Sequence, residues 1–286
     1  MTITAGIDVG TGAVKAVIFD VAEGGANNND NIKWLGRHME KIRQRDAHTL
    51  ARECYEKALA EAGLKEDDVA YVATTGEAES LNFSTGHFYS MTTHARGGIY
   101  LTPEARAVLD IGALHGRAII IDERGKVLDY RMTSQCASGS GQFLENIARY
   151  LGITLEEIGE LSKQADNPEK VSSICAVLAE TDVINMVSRQ ISASNILKGI
   201  HMSMASRLVK LLRSIKVTEG TILMTGGLAL DVGLLAALNE GMEEQKVSVR
   251  ALNHPDSIYA GAIGAAIWGG FRYEKLARLA QLSKAS

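Results

Sequence analysis

Ile3-Thr4-Ala5-Gly6-Ile7-Asp8-Val9-Gly10-Thr11-Gly12-Ala13-Val14-Lys15-Ala16-Val17-Ile18-Phe19-Asp20 reads as a β-hairpin, and that reading decides the fold. Residues 3–9 are a short apolar run suited to a buried strand, residues 14–20 make a second, and Gly10-Thr11-Gly12 is the tight turn between them. A Walker loop or a dinucleotide fingerprint needs a glycine turn that opens a helix, so both are disfavoured here. The turn can still take a phosphate, because glycine lets backbone N–H groups approach oxygen closely and Thr11 adds a hydroxyl. Asp8, at the end of the first strand, suits a hydrated Mg2+. A plain hairpin turn is the simpler reading of the same residues.

About a hundred residues later the pattern returns. Ala107-Val108-Leu109-Asp110-Ile111-Gly112 is again an apolar strand, an aspartate, one residue and a glycine, and Ala118 to Asp122 is the returning strand. The repeat predicts two similar domains facing one cleft, with two aspartates and two glycine turns approaching one polyphosphate. The expected division is 1–100 for the first domain and 101–270 for the second, with a terminal helix, 271–286, packing back on the first. Thr221-Ile222-Leu223-Met224 predicts a further strand running into Thr225-Gly226-Gly227. Such a glycine pair can pack against a nucleoside where side chains would collide, or it is only a tight turn.

Between these points the chain alternates strand and helix patterns. Ile32 to Met39 reads as a strand, and Asp46 to Ala62 as an amphipathic helix with Cys54 on its apolar stripe, a core position. Val69 to Thr74 is a strand ending at Thr75-Gly76-Glu77; the segment from Met91 to Gly98 then leads through Pro103 to the second repeat. Helices are expected from Thr154, over 177–191, 195–215 and 231–241, and a last strand over 247–252. Two separate helices are expected at the end: a small-residue one over 257–269 and a polar one over 272–284.

Two cysteines lie in small-residue turns that run into helices. In Ser134-Gln135-Cys136-Ala137-Ser138-Gly139-Ser140-Gly141-Gln142-Phe143-Leu144-Glu145, Ser140 is the expected N-cap of an amphipathic helix. Cys175 stands just before the helical pattern that starts at Val177. A thiolate at such a place faces the positive end of a helix dipole and free backbone N–H groups. That suits an anion, a reactive thiolate, a metal-sulfur cluster, or a buried cysteine beside a helix start.

Composition narrows the setting. With 286 residues, 46% apolar and 22% charged, the chain is an ordinary globular protein large enough for two domains. Lys and Arg total 30 against 34 Asp and Glu, a net charge of -4, so no basic field recruits nucleic acid or an anionic membrane. Three cysteines argue for a reducing cytoplasm over a disulfide framework. No signal peptide is read at the N-terminus, and Ile258 to Trp268, the most apolar late segment, is too short to span a bilayer.

Asp8-Val9-Gly10-Thr11, Asp110-Ile111-Gly112 and Met224-Thr225-Gly226-Gly227 together resemble the phosphate-1, phosphate-2 and adenosine motifs of the acetate and sugar kinase/Hsp70/actin superfamily. Thr93-His94-Ala95-Arg96-Gly97, the stretches 135–145 and 174–184, and Gly199-Ile200-His201-Met202-Ser203 narrow the likeness. With them the whole chain resembles the benzoyl-CoA reductase/2-hydroxyacyl-CoA dehydratase activase family, and Leu109 to Gly116 is most similar to its reductase branch.

The resemblance implies an α/β fold of two ribonuclease H-like domains facing an ATP cleft. It implies ATP with Mg2+, Asp8 and Asp110 as catalytic residues, and Gly10, Thr11, Gly12, Lys15, Gly112, Gly226 and Gly227 as nucleotide-binding residues. Cys136 and Cys175 match the two family cysteines that ligate a 4Fe-4S cluster. Four thiolates hold such a cluster and the chain offers two, so it would be shared with a homologous ATP-binding subunit. Ferredoxin would supply electrons, and ATP hydrolysis would drive them to two catalytic subunits that dearomatise benzoyl-CoA, in a cytoplasmic heterotetramer. One departure stands out: family members commonly read Asp-Ile-Gly-Gly-Gln-Asp at the second phosphate motif, where this chain has Ala113, Leu114 and His115 after Gly112. Hydrolysis at this site is then slow, altered or left to the partner. The competing readings are a homodimeric activator of a 2-hydroxyacyl-CoA dehydratase, a small-molecule kinase of the same fold with incidental cysteines, and a non-catalytic assembly subunit.

Overall fold

The structure, a computed structural model, describes residues 2–25, 29–79, 81–133, 141–171, 176–217 and 219–285. The chain forms two units: Met1–Pro103, Asp122–Val127 and Tyr259–Ser286 make the first, and Glu104–Ile121 with Leu128–Ile258 the second.

In the first unit, β1 (Ile3–Val9), β2 (Ala13–Val21), β3 (Ile32–Lys41), β4 (Tyr71–Gly76) and β5 (Gly86–His87) form one sheet in the order β3-β2-β1-β4-β5. The hairpin pairings β1/β2 and β2/β3 are antiparallel, while β4 joins β1, and β5 joins β4, in parallel. Every residue of β1 is buried, as a central strand covered on both faces requires. Ile3, Ala5, Ile7 and Val9 meet Leu50, Ala51, Cys54 and Ala58 of α1 (Ala47–Ala62). That helix starts where the Asp46 side chain accepts from Thr49 N at 2.8 Å and ends at Gly63, φ 68°. A second helix, α2 (Ser90–Leu101), occupies the segment where the sequence reading assigned none.

The second unit repeats the plan. Its strands β6 (Ala105–Ile111), β7 (Gly116–Ile121), β8 (Val127–Met132), β9 (Glu219–Thr225) and β10 (Ser248–Leu252) lie in the order β8-β7-β6-β9-β10, the counterpart of the first sheet. Again the first two strands are antiparallel and the next two parallel. Between β8 and β9 come α3 (Gly141–Leu151), α4 (Leu155–Lys163), α5 (Ala176–Ser188) and α6 (Ala193–Ser214); α7 (Val232–Glu244) joins β9 to β10. Leu109, Ile111, Leu144, Ile147, Ile200, Met204 and Leu234 build the core of this unit. Two mixed five-stranded sheets in one repeated order are the duplicated α/β architecture of the acetate and sugar kinase/Hsp70/actin fold.

The chain closes with α8 (Ala260–Ala285), one continuous helix where two were expected. The expected break fell on Gly269-Gly270, the usual punctuation of a helix end. Here the pair serves close packing: a Cβ on Gly269 would stand 3.0 Å from Ala73 Cβ, and one on Gly270 2.9 Å from a Val21 methyl. The domain boundary expected at 270 therefore falls inside a helix whose first turns are buried in the first unit with Val17, Phe19 and Val21. The far half of α8 carries Arg278, 2.9 Å from Glu23, and Glu274, which accepts from Gly24 N at 3.2 Å. Residues 122–127, expected in the second domain, also group with the first unit. No helix among the described residues is long and apolar enough to cross a membrane.

Candidate functional site

In the first hairpin the register places Lys15 directly across from Asp8. Both side chains are buried, and Lys15 Nζ lies 3.7 Å from Asp8 Oδ2. That separation is an ion pair longer than a hydrogen bond, so the ammonium N–H groups are not spent on the carboxylate. The turn closes by Gly10 N donating to Ala13 O at 3.0 Å, with Thr11 and Gly12 exposed at its tip. A Cβ on Gly10 would stand 3.6 Å from Lys15 Nζ, which puts the cation beside the glycine turn. Asp8, Gly10, Thr11, Gly12 and Lys15 are thus together at one end of β1 and β2.

The neighbouring strand adds residues that the sequence reading left without a role. Thr75 is in register with Asp8, and Gly76, φ 76°, follows it. A Cβ on Gly76 would lie 2.2 Å from Val9 O and 3.0 Å from Asp8 Oδ1. Thr75 Oγ1 and Thr93 Oγ1 of α2 are 3.1 Å apart. Asp8 Oδ2 and His94 Nε2 both point at Gly261 in the first turn of α8: a Cβ there would be 2.7 Å from one and 2.9 Å from the other.

The second unit reproduces this set at matching positions. Arg117 stands across from Asp110, seven residues on as Lys15 is from Asp8. Its Nε lies 3.2 Å from Asp110 Oδ2. Gly112 N donates to His115 O at 2.9 Å, closing the turn as Gly10 closes the first. Thr225 is in register with Asp110, and Gly226, φ 85°, follows. A Cβ on Gly226 would come within 2.4 Å of Asp110 Oδ1 and 2.7 Å of Ile111 O. Gly227 is less constrained, its nearest neighbour being Ile111 O at 4.0 Å. Asp110, Gly112, Gly226 and Gly227 are therefore brought together within one unit. Arg117 was missed, although its spacing from Asp110 repeats that of Lys15 from Asp8.

Arg117 Nη2 donates a hydrogen bond to Nε2 of the His115 ring. The same turn holds the next helix: Gly141 N donates to Gly112 O, and Gln142 N to Ala113 O, both at 2.9 Å. The first turn of α3 is thereby tied to the turn between β6 and β7.

Cys136, Cys175 and the expected cap Ser140 lie outside the described residues. The described helices α3 and α5 begin at Gly141 and Ala176, each shortly after one of these cysteines. Among the described residues there is no group of three or more His, Cys, Asp or Glu side chains that could hold a metal ion. Cys54 is buried in the core of the first unit, and burial pushes its thiol up to about 12.

His201 belongs to a different arrangement. Its Nδ1 is 2.8 Å from Ser162 Oγ, and its Nε2 is 3.1 Å from Asp231 Oδ2. Ser162 and His201 are completely buried, so these three residues lack the access a hydrolytic triad requires. They join α4, α6 and the N-cap of α7, where Asp231 Oδ1 accepts from Gly233 N and Leu234 N. Burial opposes ionisation of Asp231, yet the His201 contact and the two amides hold its carboxyl below the usual range.

Against known proteins, the model of the BadF/BadG/BcrA/BcrD ATPase family matches residues 5–269. The chain is 73% identical to a benzoyl-CoA reductase subunit of Thauera aromatica, over 98% of each chain. It is 35% identical to the activator of lactoyl-CoA dehydratase of Anaerotignum propionicum, over 93% of this chain and 96% of that one. Among solved structures, the activator of 2-hydroxyisocaproyl-CoA dehydratase from Clostridium difficile with bound ADPNP superposes with a TM-score of 0.84. That match is 27% identical and covers 97% of both chains.

Proposed function

The chain belongs to the BadF/BadG/BcrA/BcrD ATPase family, and from that premise we propose that it is the ATP-binding, electron-activating subunit of a benzoyl-CoA reductase. The observation that carries this reading is the near-full-length likeness to the Thauera aromatica protein. Within each unit, an aspartate and a cation at the end of one hairpin stand beside a positive-φ glycine at the end of the neighbouring parallel strand, a set suited to phosphate. Lys15 supplies charge beside the first glycine turn, and Gly226 keeps a side chain away from Asp110. Asp8 and Asp110 are the catalytic candidates, and a hydrated Mg2+ would be held through the Asp8 carboxylate, offsetting phosphate charge.

Cys136 and Cys175 are the proposed ligands of a 4Fe-4S cluster, two of the four thiolates it needs. Bound there, the cluster would carry single electrons at low potential. The homologous ATP-binding subunit would give the other two thiolates, in a complex with two catalytic reductase subunits, reduced by ferredoxin in the cytoplasm. Exposed Leu128, Tyr130 and Met132 on edge strand β8, and Leu178, Ile184 and Val187 on α5, favour a partner over these elements. The hydrogen bonds from α3 to Gly112 and Ala113 give the nucleotide turn a direct grip on the helix that follows Cys136.

The test is anaerobic isolation of the native complex. The expected result is iron and sulfide in a four-subunit assembly that reduces benzoyl-CoA with ferredoxin only when ATP is hydrolysed. An iron-free protein that phosphorylates a small molecule would overturn it. The 35% likeness to a dehydratase activator supports a second reading, and a free homodimer that activates a 2-hydroxyacyl-CoA dehydratase would establish that one instead. Because Ala113, Leu114 and His115 depart from the usual motif, Asp110→Asn is a separate check. Unchanged ATPase and electron transfer in the complex would remove Asp110 from the catalytic set.

A further inference from the structure

We infer that Arg117 is a phosphate-binding residue of the nucleotide site, the counterpart in the second unit of Lys15, and that His115 positions its guanidinium. The inference rests on the reading of this chain as an ATP-binding subunit and adds to it two residues and their division of labour.

Three observations carry it. The first is positional: Arg117 occupies in the β6/β7 hairpin the register place that Lys15 occupies in the β1/β2 hairpin, each opposite the motif aspartate. Both neighbours repeat as well, Thr75-Gly76 in one unit and Thr225-Gly226 in the other, in register with the two aspartates. The second is chemical. A carboxylate beside a polyphosphate repels it, and a cation on the facing strand offsets that repulsion. Arginine brings more than charge, because its planar fork can serve a carboxylate and a phosphate oxygen with different N–H groups.

The third observation is how the fork is used. Arg117 Nε is 3.2 Å from Asp110 Oδ2, but it is misaligned: this buried N–H makes no hydrogen bond among the described residues. Nη2 is taken by His115 Nε2. A guanidinium held at one corner and ion-paired along one edge, with a donor in hand, is prepared for a further anionic acceptor. The His115 ring also sits on the glycine turn, its Nε2 3.7 Å from where a Gly112 Cβ would be. The residue that departs from the usual acid therefore fixes the plane of the arginine at that turn. It acts through Arg117 and is a positioning residue.

The experiment uses the intact complex and measures equilibrium affinity for ADP, ADPNP and adenosine. Arg117→Gln is expected to weaken ADP and ADPNP by about tenfold or more, the loss of a charge-assisted contact, while adenosine affinity stays within about twofold. Arg117→Lys should restore most of the loss. His115→Phe should weaken the same two ligands, and the double variant should be no worse than Arg117→Gln alone, since one residue acts through the other. A general loss of folding would weaken adenosine equally and make the two substitutions additive; either result overturns the inference. So does unchanged ADP affinity in Arg117→Gln alongside a clear loss in Lys15→Gln. If the unsubstituted complex binds neither ADP nor ADPNP, the ATP-binding reading itself fails, and the inference with it.

Discussion

Cys54 directs its thiol at the carbonyls of Val14 and His38, 3.6 and 3.3 Å away, in a site where burial pushes its pKa to about 12. It should resist alkylation at pH 8 in the folded protein and react only in denaturant, as mass spectrometry of labelled peptides would show. Under the proposed function, Cys54→Ala leaves the iron content of the complex unchanged, whereas Cys136→Ser or Cys175→Ser lowers it. Gly226 makes the opposite kind of demand, with φ at 85° and no room for a side chain beside Asp110. Gly226→Ala is expected to cost about 1–3 kcal/mol in stability, read from a urea midpoint, and, under the proposed function, to weaken ADP binding by displacing Asp110. At this scale the motif residues were legible, because an aspartate and glycine at a strand end form a local pattern. His94 was not, because only helix packing brings it to Gly261 beside Asp8, while the one sequence signal for Arg117, its spacing from Asp110, gains meaning only from the sheet register.

In the first unit α2 and α8 meet backbone to backbone at glycines. A Cβ on Gly264 of α8 would stand 1.8 Å from Thr93 O of α2, and one on Gly97 of α2 2.0 Å from Ala260 O. Gly264→Ala should therefore cost about 3 kcal/mol, measured by thermal or urea unfolding, since neither backbone can yield cheaply. The same contact explains why α2 escaped the sequence reading: Gly97-Gly98 has poor helix propensity, and packing against α8 overrides it. In the second unit, the Ser162–His201–Asp231 link clamps α4, α6 and α7. The Asp231 carboxyl sits below its ordinary value of 3.8, so its stabilising effect is complete above that pH and lost as pH falls below it. Acid unfolding of Asp231→Asn should consequently show a shallower loss below pH 4 than the unsubstituted protein.

For the whole molecule, the chain's course matters as much as its elements. The segment from Tyr259 returns to the first unit, where Ala260 to Ile267 bury most of their surface, while 271–283 are largely exposed. A chain ending before Ala260 should fail to form a stable first unit, whereas one ending after Phe271 should melt within a few degrees of the full chain. Differential scanning calorimetry separates the two outcomes.

The sequence by itself determined the duplicated hairpin, the glycine turns, the aspartates and the two helix-leading cysteines, because each is a pattern within a few neighbouring residues. The broader family likeness came from how those patterns follow one another. Tertiary structure alone decided that Lys15 and Arg117 stand directly opposite the two aspartates, that α8 is one helix crossing a glycine pair, and that His201 is a structural link. Each of those depends on what lies opposite in space, and glycine in particular looks the same in sequence whether it ends a helix or lets another backbone come close.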